Sequence, residues 1–200
     1  MQGFLFLYTM NSELVLSFFK EITQIPRESG HEEHIIAYLQ KFAADRNLEC
    51  RTDEAGNVLI VKEAAPGRED VPAIVLQSHS DMVCEKNADC NHDFTADGIE
   101  ILREGDYIYA NGTTLGADNG FAVATMLAIL EDTSAEHPTL ECLFTSAEEV
   151  GLDGMRAVVP AWLTARMMIN LDSCDEKSAT AACAGGVRTG DKVGGVDSGS

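Results

Sequence analysis

Four short stretches of the chain carry side chains able to hold a metal ion and move a proton. His79 and Asp81 follow the apolar run IVLQS, and Asp118 sits between glycines in GTTLGADNG. Glu148 and Glu149 close LECLFTSA, and Asp172 closes RMMINL. Each stands where an apolar segment ends or a helix begins. In open α/β sheets, ligands bind beyond the carboxyl ends of strands, so residues far apart in sequence can converge there. A spacing of two in extended chain turns His79 and Asp81 to one side. The carboxylate can then hold one imidazole nitrogen while the other faces an ion. Two adjacent carboxylates repel unless a cation or proton lies between them. Beside a metal, one of the pair can coordinate while its neighbour takes a proton from water. Taken singly, each motif has an ordinary explanation: Asp118 as a helix N-cap, the others as surface acids. Their repetition at strand ends favours a metal-dependent hydrolase.

Those residues need a frame, and the hydrophobic periodicity supplies one. Residues 12–25 place Val15, Phe18, Phe19, Ile22 and Ile25 on one helical face, which Pro26 stops. Ser29 and Glu32 have the spacing of a capping box before a second helix, marked by Ile35, Leu39 and Phe42 and fading near Asn47. Residues 49–53 and 57–61 read as strands about a turn at Ala55–Gly56, and 71–77 as a strand buried on both faces. A polar loop over 84–96 precedes a hairpin of 99–103 with 107–110. Beyond the glycine-rich turn at 112–120, the pattern predicts a buried helix over 121–130 and a strand over 139–145. A short helix over 154–159 and a strand over 166–171 follow. Helices alternating with apolar strands predict an α/β fold, a three-layer sandwich around a mixed, mostly parallel sheet.

Bulk properties narrow the function classes. With 33 Asp and Glu against 14 Lys and Arg, the 200-residue chain carries a formal net charge of -19. Such a surface repels phosphate backbones and anionic lipid, which argues against nucleic acid or a membrane as partner. No run approaches the ~18 apolar residues of a membrane span, and MQGFLFLYTM lacks the basic start and cleavage site of a signal peptide. The chain reads as cytoplasmic, with its first nine residues an extension. Its six cysteines form no C-x-x-C pair, which excludes a zinc knuckle and a disulfide framework. His31, His34, His92 and His137 read as solvated helix or loop residues. Neither a G-x-S-x-G elbow nor a phosphate loop is present.

The ordered set HSDMVCEKN (79–87), GTTLGADNG (112–120), LFTSAEEVGL (143–152) and MINLDSCDE (168–176) resembles the aminoacyl-histidine dipeptidases, also called cytosolic non-specific dipeptidases. These belong to the cocatalytic dizinc exopeptidases. FFKEITQIPRESGHEEHIIAYL (18–39) and CAGG (183–186) extend the likeness from about Met10 to Gly186. The resemblance implies a zinc-exopeptidase-like fold binding two divalent cations, zinc in the first place, with manganese or cobalt also suiting such ligands. By the same resemblance His79, Asp118 and Asp172 bind one metal, Asp118 bridges, Glu149 binds the second, Asp81 orients His79 and Glu148 is the general base. The substrate is a dipeptide, Xaa-His among others. Residues 1–184 then correspond to part of a catalytic domain, and the six-glycine stretch 185–200 to a tail or the start of a lid. Family members dimerise through that lid and supply a late histidine to the second metal. No histidine follows His137 here, so the second site is incomplete and the chain is expected to have reduced activity or none. Two alternatives stand beside this reading: a non-catalytic metal-binding or interaction module, and an amidohydrolase or deacylase of the same architecture.

Overall fold

The computed structural model describes residues 11–172. The anticipated extension over the first nine residues, the CAGG stretch and the glycine-rich tail lie outside that range. Helix α1 (Ser12–Ile22) starts at Asn11, whose side chain accepts from the backbone N–H of Glu13 and Leu14. It buries Val15, Phe18, Phe19 and Ile22 and ends short of Pro26, because Thr23 Oγ1 turns back to the Lys20 carbonyl at 2.9 Å. Helix α2 (Glu33–Asp45) buries Ile35, Leu39, Phe42 and Ala43. The capping box expected before it does not form. Glu32 occupies the N-cap position without a side-chain cap bond, and Ser29 is engaged elsewhere.

Strands β1 (Glu49–Thr52), β2 (Val58–Lys62), β3 (Ile74–His79), β6 (Leu140–Thr145) and β7 (Met167–Asn170) form one sheet in the order β1-β2-β6-β3-β7. Strands β4 (Ile101–Glu104) and β5 (Tyr107–Ala110) make a separate hairpin. The sheet is mixed, as expected: β3 runs parallel to β6 and β7, whereas β1–β2 and β2–β6 are antiparallel, so β2 alone runs against the other strands. The antiparallel share follows from the short turn between β1 and β2, since a tight turn can join only antiparallel neighbours. Asp53 builds that turn, its Oδ1 accepting from the N–H of Ala55 and Asn57 at 3.0 and 2.9 Å.

The pleat sends alternate residues to opposite layers. Val58, Ile60, Cys142 and Phe144 pack with α1, α2 and helix α3 (Ala117–Glu131) on one face. Leu59, Val75 and Leu143 meet Val158, Trp162 and Leu163 on the other. Helix α3 is apolar on nearly all sides, which suits its position between α1 and the sheet. Cys142 lies inside this core as a small hydrophobe, its thiol pushed up to about 12 by burial.

Strand β7 is different. Among the described residues it pairs with β3 alone, and all four of its residues are exposed. Its approach is pinned from below by Glu141, a 3 % exposed residue of β6. That carboxylate accepts from Thr164 N at 2.8 Å, Thr164 Oγ1 at 2.5 Å and Ala165 N at 3.3 Å. Among the described residues no helix is long and apolar enough to cross a membrane.

Candidate metal centre

Strand β3 extends two residues past its expected end, so His79 is its final residue and sits at the rim of the sheet. The imidazole is 1 % exposed and carboxylates face both of its nitrogens. Nδ1 lies 3.2 Å from Asp81 Oδ1, while Nε2 lies 3.1 Å from Asp118 Oδ1 and 4.0 Å from Asp172 Oδ2. Burial alone would favour the neutral ring. Its bonds with Asp81 and Asp118 and the nearby charge of Asp172 outweigh that, raising His79 to about 9.

Asp81 is fully buried and acts as a junction. Its Oδ1 accepts from the Glu148 N–H at 3.1 Å, and its Oδ2 from the Glu149 N–H at 3.2 Å and Ser29 Oγ at 2.6 Å. Burial opposes the charged form, but these donors and His79 prevail and hold the carboxyl down at about 2. One carboxylate therefore ties the β3 end, the turn after β6 and the α1–α2 connection together.

The Glu148–Glu149 turn is built by a left-handed residue, Ala147 at φ 47°, whose N–H donates to Glu32 Oε1 at 2.9 Å. Below it, Asn57 Oδ1 accepts from Ser146 N at 3.1 Å while Asn57 Nδ2 donates to the Gly154 carbonyl at 2.8 Å. Asp118 is reached from Gly116, itself left-handed at φ 68°, and Asp118 and Asn119 depart from helical geometry at the start of α3. Asp172 follows β7, which is in register with β3.

Two donor groups result, each with its atoms within 4.8 Å of one another: His79 with Asp118 and Asp172, and His79 with Glu148 and Glu149. All six residues singled out in the sequence thus meet at one place. The carboxyl groups of Glu148, Glu149 and Asp172 are all raised. Burial is the leading cause, moderated by His79 and reinforced by neighbouring carboxylates. Such crowding of acids is what a cation relieves, and oxygen and imidazole donors suit a divalent ion.

Three contributors escaped the sequence reading: Arg27, Ser29 and Glu32, all on the α1–α2 connection. Ser29 and Glu32 serve Asp81 and Ala147 rather than a helix end. Gly116 and Gly120 flank the Arg27 guanidinium, and a Cβ on Gly120 would stand 2.6 Å from its Nη2. The outward signal was slight, one arginine directly after Pro26 at the end of an apolar helix.

The profile of Peptidase family M20/M25/M40 matches residues 75–190. A cytosol non-specific dipeptidase of Escherichia coli (strain K12) is 43 % identical over 169 residues, covering 84 % of this chain and 35 % of that protein. The crystal structure of an aminoacylhistidine dipeptidase from Vibrio alginolyticus superposes with a TM-score of 0.79 at 41 % identity, over 82 % of this chain and 34 % of that one. A tripeptidase from Staphylococcus aureus gives a TM-score of 0.70 at 26 % identity, over 83 % and 44 % of the two chains. The chain thus spans about a third of the length of the two dipeptidases.

Proposed function

The chain belongs to peptidase family M20/M25/M40, and from that membership we propose that it is the catalytic-domain part of a metal-dependent dipeptidase acting on Xaa-His and other dipeptides in the cytoplasm. The observation that carries this is the convergence of Asp118 and Asp172 on His79 Nε2, with Glu148 and Glu149 on the same imidazole. His79, Asp118 and Asp172 would hold one divalent cation, and Asp118 with Glu149 would contribute to a second. Bound cations would supply Lewis-acid polarisation of the scissile carbonyl and make water more acidic.

The chain's own groups do the rest. Asp81 holds a proton on His79 Nδ1, so Nε2 would be the nitrogen offered to a cation in place of its own proton. Glu148, its carboxyl raised by burial, takes a proton from the attacking water and returns it to the leaving amine. Its backbone N–H on Asp81 fixes where that carboxylate starts. A cavity of about 480 Å³ beside Asp118 and Asp172, walled by Phe121, Ala122, Thr125 and Leu171, has room for a substrate side chain. Among the described residues, the second donor group offers Glu148 and Glu149 beside the shared His79.

Cobalt uptake and hydrolysis of β-alanyl-histidine test the reading together. Wild type binds cobalt through His79, and Glu148→Gln keeps the uptake while losing any turnover. Absence of binding by the wild type refutes the site, and unchanged turnover by Glu148→Gln refutes the base.

A further inference from the structure

We propose that Arg27 is a positioning residue for this site: its guanidinium locks the Asp118 loop against the end of β3 and so sets the separation of Asp118 from His79. The role rests on the metal-site reading for its use, though not for its geometry. Arg27 is 1 % exposed. Nη1 donates to the carbonyls of Ser80 at 3.1 Å and Asp81 at 3.0 Å, and Nη2 donates to the carbonyl of Gly116. Its own carbonyl accepts from Met82 N at 3.0 Å. A single side chain therefore closes two segments, the turn after β3 and the loop before α3.

Three features show that the site is built around this contact. The side chain of Asp118 is 74 % exposed, and among the described residues its carboxylate hydrogen-bonds to His79 alone. Its placement is thus inherited from the backbone, which Arg27 grips two residues earlier. Glycines flank Asp118 on both sides, and a Cβ on either would run into the guanidinium. The third feature is chemical. The bonds of Arg27 go to neutral carbonyls, and burial lowers its pKa to about 10 despite the nearby charges of Asp81, Cys84 and Asp118. A group that merely filled this space would need no charge, since an apolar side chain would do so without the desolvation cost.

Charge and clamp have opposite consequences for a cation, which makes the proposal testable. As a positive charge, Arg27 repels a divalent ion, and its removal would tighten binding. As a clamp it assembles the ligands, and its removal weakens binding. Lysine keeps the charge but lacks the fork that reaches both segments at once.

The test compares wild type, Arg27→Lys and Arg27→Met. Cobalt titrations are followed by visible absorption, and metal-free protein is examined for the NMR contact between the His79 ring and the Asp118 β-protons. Both variants are expected to lose at least tenfold in cobalt affinity and to lose the His79–Asp118 contact while melting cooperatively. Binding as tight as wild type with the contact retained overturns the proposal, and so does full rescue by lysine. If wild type takes up no cobalt, the metal reading fails alone, and the metal-free contact in Arg27→Lys still decides the clamp. Should both variants unfold, Gly120→Ala crowds Nη2 with the arginine in place, and the same two readouts decide.

Discussion

Replacing Asp81 with asparagine separates the structural weight of this carboxylate from that of its neighbours. The folded carboxyl titrates at about 2 against an ordinary 3.8. At 1.36 kcal/mol per unit, the shift corresponds to about 2.5 kcal/mol of stability when the group is ionised. The sign follows from the depressed folded value: the contribution is complete above the unfolded pKa and is lost as pH falls through about 2. About half of it is gone at pH 3. The amide adds a cost of its own, because its NH2 must face donors that Asp81 now accepts, leaving about 1–3 kcal/mol of unsatisfied polar contact at any pH. Urea unfolding of metal-free wild type and Asp81→Asn at pH 5.5 and pH 3 measures both parts. At pH 5.5 the wild-type His79 is protonated when folded, well below its raised value. The wild-type advantage should be about 4 kcal/mol at pH 5.5 and should shrink by about 1 kcal/mol at pH 3. An advantage that is absent at pH 5.5, or that does not change with pH, would refute the junction role of Asp81.

Three other perturbations probe the frame. In metal-free protein the raised His79 contributes fully below pH 6.5 and loses its contribution as pH rises through about 9. Urea midpoints should therefore fall between pH 6 and pH 10 by more in wild type than in His79→Gln. Gly154→Ala would place a Cβ 2.7 Å from both Asn57 Oδ1 and Ser146 N, so overpacking of about 1–3 kcal/mol is expected. A thermal melt should register this as a loss of about 4–8 °C. Glu141→Ala leaves the N–H groups of Thr164 and Ala165 without their carboxylate. The loss of about 2–3 kcal/mol should appear as easier proteolysis near residue 165 and weaker cobalt uptake through Asp172.

The legible residues were those whose environment is local. His79, Glu148 and Asp172 each mark an abrupt change from apolar to polar chain, and such a break survives without tertiary information. Asp118 carried two meanings, helix cap and ligand, until the other motifs joined it. Its loop shows why, since the backbone at Asp118 and Asn119 is not helical and no cap bond forms there. Ser29 and Glu32 were misread because their spacing satisfies a helix rule. A buried carboxylate and a left-handed turn claim them instead, and the charge-assisted bond from Ser29 to Asp81 is stronger than a neutral cap. Arg27 was hidden for the same reason, as its partners are backbone carbonyls 53, 54 and 89 residues away.

The exposed last strand has a thermodynamic consequence. β7 is held on one edge by β3 and at its approach by Glu141, so it opens at a lower free energy than the centre of the sheet. Asp172 rides at its end, whereas His79 belongs to the buried interior. A cation held by both, as proposed, would recognise only the docked strand, and docking and capture would then be a single linked equilibrium. At tenfold excess over its dissociation constant, such an ion adds about 1.4 kcal/mol to the docked form. Among the described residues, the part of the sheet least secured by packing would thus be the part whose order the ligand itself supplies.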